Sequence, residues 1–137
     1  MDYDPRFLAG VDSFNRGAYF DSHDRWEELW IADGRPGFGF AKALVQAAVA
    51  MHHLSRGNFV GTEKLLNSCR QAMAPFAPQH QGMEIEVFLQ DLQRAYQQSK
   101  SAGAMSAEYA PKIELKPSPS AGDGETGAAR DPQAVRE

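Results

Sequence analysis

The sequence predicts an all-α fold, a compact bundle of about five helices built from helical hairpins. Apolar residues recur at three- and four-residue spacing through most of the first hundred positions. Glycine- and proline-containing breaks separate those stretches, and no run alternates with period two over a useful length.

Asp4 and Pro5 open the first helix, Asp4 as a cap and Pro5 in the first turn, where a missing N–H costs nothing. Phe7, Leu8, Val11 and Phe14 carry it from about Pro5 to Asn15, and Gly17 stops it. A second helix begins almost at once, from about Ala18, so the first two form an antiparallel hairpin. The turn-rich run Ala32 to Gly37 ends it. A third helix, about Gly39 to Ser55, is apolar around most of its circumference and rich in alanine, so it belongs in the middle of the bundle. Arg56-Gly57-Asn58 is a second stop and restart. Helix four, about Phe59 to Ala74, presents Val60, Leu65, Leu66, Cys69 and Met73. The loop Pro75 to Gly82 carries His80, read as exposed, and helix five runs from about Met83 to Lys100 with Ile85, Phe88, Leu89, Leu92 and Tyr96 on one side. Beyond it, Ile113 and Leu115 can dock on the core as an extended segment.

With 42% hydrophobic residues in 137, the chain can build one modest core. A single helical domain over residues 1–116 is expected. The stretch 117–137, opening Pro-Ser-Pro-Ser, has almost nothing to bury and reads as a disordered tail.

Net charge is −4 and no Lys/Arg run occurs, which argues against nucleic acid and against basic membrane binding. No stretch approaches the roughly 18 apolar residues of a membrane span, and the first residues lack the pattern of a secretory leader. A cytoplasmic protein is expected, with Cys69 a small buried hydrophobe.

The densest chemistry lies between Phe14 and Trp30. On a helix beginning near Ala18, Tyr19, Phe20, Trp26 and Trp30 share one face, and His23 and Glu27 stand in the middle of it. Asp24, Arg25 and Glu28 point elsewhere. On the third helix, Lys42, Gln46 and His53 make a narrow polar stripe that can meet His23 and Glu27, whereas His52 lies on another face. One reading is a satisfied polar network fixing the register of the two helices. A second is a divalent metal, zinc, iron or manganese, on His23, Glu27 and His53, with Asp24 or Glu28 at the rim. A third is acid/base chemistry through His23 and Glu27, for which no nucleophile declares itself. A fourth is protein interaction, because two hairpins with short glycine turns resemble a tetratricopeptide unit, although nothing repeats at about 34 residues.

The run Phe14-Asn15-x-Gly17-x-Tyr19-Phe20-Asp21-x-His23-Asp24-x-Trp26-Glu27-x-x-Trp30, followed by Leu44 to Leu54 and Arg56-Gly57-Asn58-x-x-Gly61, resembles the domain-of-unknown-function family three hundred and nine of bacteria, archaea and plastids. The resemblance spans roughly residues 5 to 116. It implies an all-α fold and no established activity, and its motif positions fall on His23, Asp24, Glu27, Gln46 and His53. Asp24 stands where the family usually has Glu, and His52 where it often has Tyr.

The function expected is a binding or assembly module with a polar pocket of His23, Asp24, Glu27, Trp30, Gln46 and His53, taking a protein partner or a second copy of itself. The alternative is a metal-dependent hydrolase-like enzyme using His23, Glu27 and His53.

Overall fold

Local chemistry decides where the first helix begins. The Asp4 carboxylate accepts a hydrogen bond from Arg6 N at 2.8 Å, and Pro5 takes the first helical position. Helix α1 (Pro5–Asn15) follows. The structure, a computed structural model, describes residues 3–34 and 39–116. It continues with α2 (Tyr19–Ala32), α3 (Phe40–Ser55) and α4 (Phe59–Met73), then a 3-10 turn (Ala74–Phe76). A two-residue antiparallel pair, β1 (Gln79–His80) and β2 (Met83–Glu84), leads into α5 (Ile85–Ala102). All five expected helices are present, each within two residues of its expected limits. The tail expected over 117–137 lies outside the described residues. No helix among the described residues is long and apolar enough to cross a membrane.

The first four helices make two hairpins of the same construction, forty positions apart in sequence. Arg16-Gly17-x-Tyr19 closes the first and Arg56-Gly57-x-Phe59 the second. Gly17 and Gly57 sit at φ 80° and 79°, in the left-handed region that a side chain strains. Ala18 N donates to Ser13 O at 2.9 Å, and Asn58 N donates to His53 O at 2.9 Å. One turn later a buried hydroxyl lies against the preceding helix in each: Ser22 Oγ donates to Gly10 O at 2.9 Å, and Thr62 Oγ1, which donates to Asn58 O at 2.7 Å, lies 3.4 Å from Ala50 O. The chain therefore does carry an internal period, of forty residues and not thirty-four.

Helix α3 packs against both α2 and α4. Its Ala43, Ala47, Ala48 and Ala50 are fully buried, and such small side chains let both neighbours approach closely. The central place expected for this helix is what the structure shows. Helix α5 adds Ile85, Phe88, Leu92 and Tyr96 to the core, with the Phe88 ring 5.8 Å from that of Phe14. After Gly103 the chain returns to α1 as a strap. The Asn15 amide donates to Ile113 O at 2.9 Å and its oxygen accepts from Ile113 N at 2.7 Å, while Ile113 itself is buried. The docked extended segment was legible in advance; the residue that holds it was not.

Cys69 is fully buried on α4, its Sγ 3.5 Å from Ala43 O, and burial pushes the thiol pKa up to about 12. It is the inert hydrophobe expected.

His80 differs from expectation. Its loop position predicts an exposed ring, but β1 folds it half-buried against Phe40 and Phe76, at centroid distances of 4.6 and 4.7 Å. Burial lowers its pKa below the ordinary 6.5, so the fold prefers the neutral ring. The unfolded chain then binds the proton first as pH falls, and stability drops from about 6.5 downward until the folded-state pKa is passed. His80→Leu is expected to flatten this slope, as measured by denaturation midpoints on either side of 6.5. His52 titrates in the same sense, so the decisive quantity is the difference in slope between the variant and the parent.

Candidate functional site

Helix α2 has neighbours on two sides, and that divides its apolar face. Towards α1 it presents Tyr19, Ser22 and Trp26, all buried. Trp26 Nε1 donates to Phe7 O at 3.1 Å, and the Tyr19 ring meets that of Phe14 at 5.2 Å. Phe20 is not part of this surface: it is 60% exposed. The single aromatic face expected from the helical spacing is thus two surfaces, with Trp26 on the dry one and Phe20, His23, Glu27 and Trp30 on the other.

That second surface runs along the seam with α3. The Phe20 ring lies 5.7 Å from the His23 ring and 5.6 Å from the His52 ring. For two antiparallel helices rising 1.5 Å per residue, the Phe20–His52 contact sets the register. It puts His23 level with Val49, Glu27 with Val45 and Gln46, and Trp30 with Lys42. His23, Glu27, Trp30, Lys42, Val45, Gln46, Val49 and His52 are all half-buried, so the seam is neither core nor free surface.

Its chemistry centres on His23, Asp24 and Glu27, whose donor atoms lie within 4.8 Å of one another. His23 Nδ1 is enclosed and makes no hydrogen bond. Asp24 Oδ1 is 3.3 Å from it, but lies off the ring N–H direction, so the contact is one of charge and proximity only. Gln46 Oε1 is likewise enclosed without a hydrogen-bond partner. Asp24, read as pointing away, brings its carboxylate to His23 instead.

His53 does not join the cluster: its Nδ1 lies 3.2 Å from Asn58 Nδ2, beside the cap of α4. The seam histidine of α3 is His52, whose pKa is lowered by burial first and then by Arg56, His53 and His23. One residue of helix is about 100° of rotation, enough to exchange the two. Among the described residues no other trio of His, Cys, Asp or Glu side chains comes this close together. Ser22 and Tyr19, the hydroxyls nearest in sequence, serve the α1 interface. Two grooves lie elsewhere. One, of about 600 Å³, runs between α5 and the strap and is crossed by the Lys116–Glu84 ion pair; the other, of about 410 Å³, lies between α4 and α5. Neither gathers a comparable set of donors.

Residues 7–65 match the family model described as Domain of unknown function (DUF309). This segment is similar to the DUF309 family. No curated protein and no solved structure matches the chain. The matched segment takes in both hairpin turns and the whole of the α2–α3 seam, and leaves out α5 and the strap.

Proposed function

We propose that this chain is a binding or assembly module that takes a protein partner on the α2–α3 seam. The observation that carries this reading is Phe20: a large aromatic side chain, 60% exposed, standing between two imidazoles above a half-buried polar seam. Leaving such a ring in water forgoes roughly 1.5 to 3 kcal/mol of burial, and aromatic anchors of this kind dominate binding surfaces. The alternative, a metal-dependent hydrolase-like enzyme using His23, Glu27 and His53, draws less support, since His53 lies beside Asn58 and outside the group formed by His23 and Glu27.

Photo-crosslinking tests the proposal. A benzophenone amino acid placed at position 20, and in a second strain at the exposed position Val87 of α5, is irradiated in the native host and the adducts are identified by mass. A discrete adduct from position 20 that position 87 does not give is the expected result. An adduct of twice the chain's mass makes the partner a second copy. Identical diffuse labelling from both positions overturns the proposal.

A further inference from the structure

We infer that the open edge of the strap, from Lys112 to Lys116, is a binding site for an extended peptide segment of another protein, one that carries a lysine or arginine between two apolar residues. The site is separate from the α2–α3 seam, and neither depends on the other.

The strap has the pattern of a single β-strand. Pro111 and Ile113 are buried and Leu115 half-buried, while Lys112, Glu114 and Lys116 between them are exposed, which is the period of two of an extended chain. In such a chain successive residues turn their N–H and C=O groups to opposite sides. Ile113 gives both of its groups to the Asn15 amide. Lys112, Glu114 and Lys116 therefore face the other way, the side on which Lys116 N donates to Gly82 O at 2.8 Å. Among the described residues nothing bonds the N–H or the C=O of Glu114. One edge of the strand is thus closed by a side chain, and the other opens on the groove of about 600 Å³ that Met83, Val87, Phe88 and Asp91 line from the side of α5.

A free N–H and C=O on one residue select an extended backbone as the occupant, since a single residue of an antiparallel strand satisfies both at once. Unpaired strand edges are templates for this kind of addition. Side chains then fix the sequence. The peptide residue opposite Glu114 has its side chain on the same outward face as the Glu114 carboxylate. Of the charged residues lining the groove, Glu84 and Lys116 pair with each other, Asp91 pairs with Arg94, and Lys112 Nζ donates to Asn15 O. Glu114 has no such partner among the described residues. A lysine or arginine opposite it completes a cross-strand ion pair. The peptide residues on either side of that cation turn inward, towards the exposed Val87 and the Phe88 beside it, and there the wall accepts apolar side chains.

Panning a phage-displayed library of random heptapeptides on the immobilised full chain tests this, with the enriched sequences resynthesised under a fluorescein label and titrated by fluorescence polarisation. The enriched peptides are expected to share apolar, Lys or Arg, and apolar residues at three successive positions. Glu114→Pro keeps the extended backbone but removes the N–H, and should weaken their binding at least about tenfold. Glu114→Lys leaves both backbone groups in place and should turn the selected central residue to Asp or Glu. Val60→Ser, at an exposed position of α4, binds as the parent does. Enriched peptides with no shared pattern, or peptides that bind the parent and both Glu114 variants alike, overturn the proposal. So does a doubling of the parent's mass by light scattering that Glu114→Pro abolishes, which makes the occupant a second copy of the chain. Should Glu114→Pro lose its helical content by circular dichroism, the charge reversal in Glu114→Lys decides the matter.

Discussion

Gly10→Ala is expected to destabilise the fold by about 3 kcal/mol and to lower the melting temperature by on the order of 10 °C. On an open helix the same change is favourable by about 1 kcal/mol, because alanine has the higher helix propensity. Here the sign reverses. A Cβ on Gly10 would fall 2.2 Å from Trp26 Nε1 and 2.4 Å from Cδ1, and the indole has nowhere to go. It is fully buried, tied to Phe7 O, and packed 5.7 Å from the Phe14 ring. Relief requires α1 and α2 to separate, and that also stretches the Ser22 Oγ to Gly10 O bond. Thermal melting of the variant checks the prediction; an unchanged or raised melting temperature would mean that the close α1–α2 approach is not maintained in solution.

Asn15→Ala is expected to cost about 2 to 3 kcal/mol, because it leaves both the N–H and the C=O of Ile113 without partners. Among the described residues no other side chain supplies this pair of bonds. A terminal amide with one donor and one acceptor does for Ile113 what a neighbouring β-strand would do. Asn15→Asp keeps the acceptor and loses the donor, so it should fall between the two. Hydrogen exchange locates the effect: amides from 109 to 116 should exchange faster while those of α3 keep their protection. A uniform loss of protection would instead make the strap part of the cooperative core.

Much of the architecture was legible because its causes are local. Asp4-Pro5, Gly17 and Gly57-Asn58 act within one turn of chain, and they set helix limits wherever the helices finally pack. The burial of α3 was legible from its alanines. What the sequence concealed depends on partners. A stripe drawn at 100° per residue is wide enough to include Trp26 and Phe20 together. Only the presence of α1 on one side and α3 on the other separates a fully buried indole from an exposed ring. The choice between His52 and His53 rests on the register of α2 against α3, which no spacing within α3 reports. The strands at 79–80 and 83–84 are too short to show period two. One signal was present and easily missed. Arg-Gly-x-aromatic followed three residues later by a hydroxyl occurs at both turns, and it marks the forty-residue period directly.

That period gives the chain two equivalent places to begin folding. Each hairpin closes through backbone and side-chain bonds spanning twelve residues or fewer, so either can form a nucleus without waiting for the other. The strap is different: Asn15 and Ile113 are ninety-eight positions apart, and tying a loop of that length costs about 2 kcal/mol more entropy than tying one of twelve. Folding should therefore run from two independent hairpins to a docked four-helix layer, with the Asn15–Ile113 clasp fastened last. A substitution at the clasp should then speed unfolding while leaving the refolding rate almost untouched.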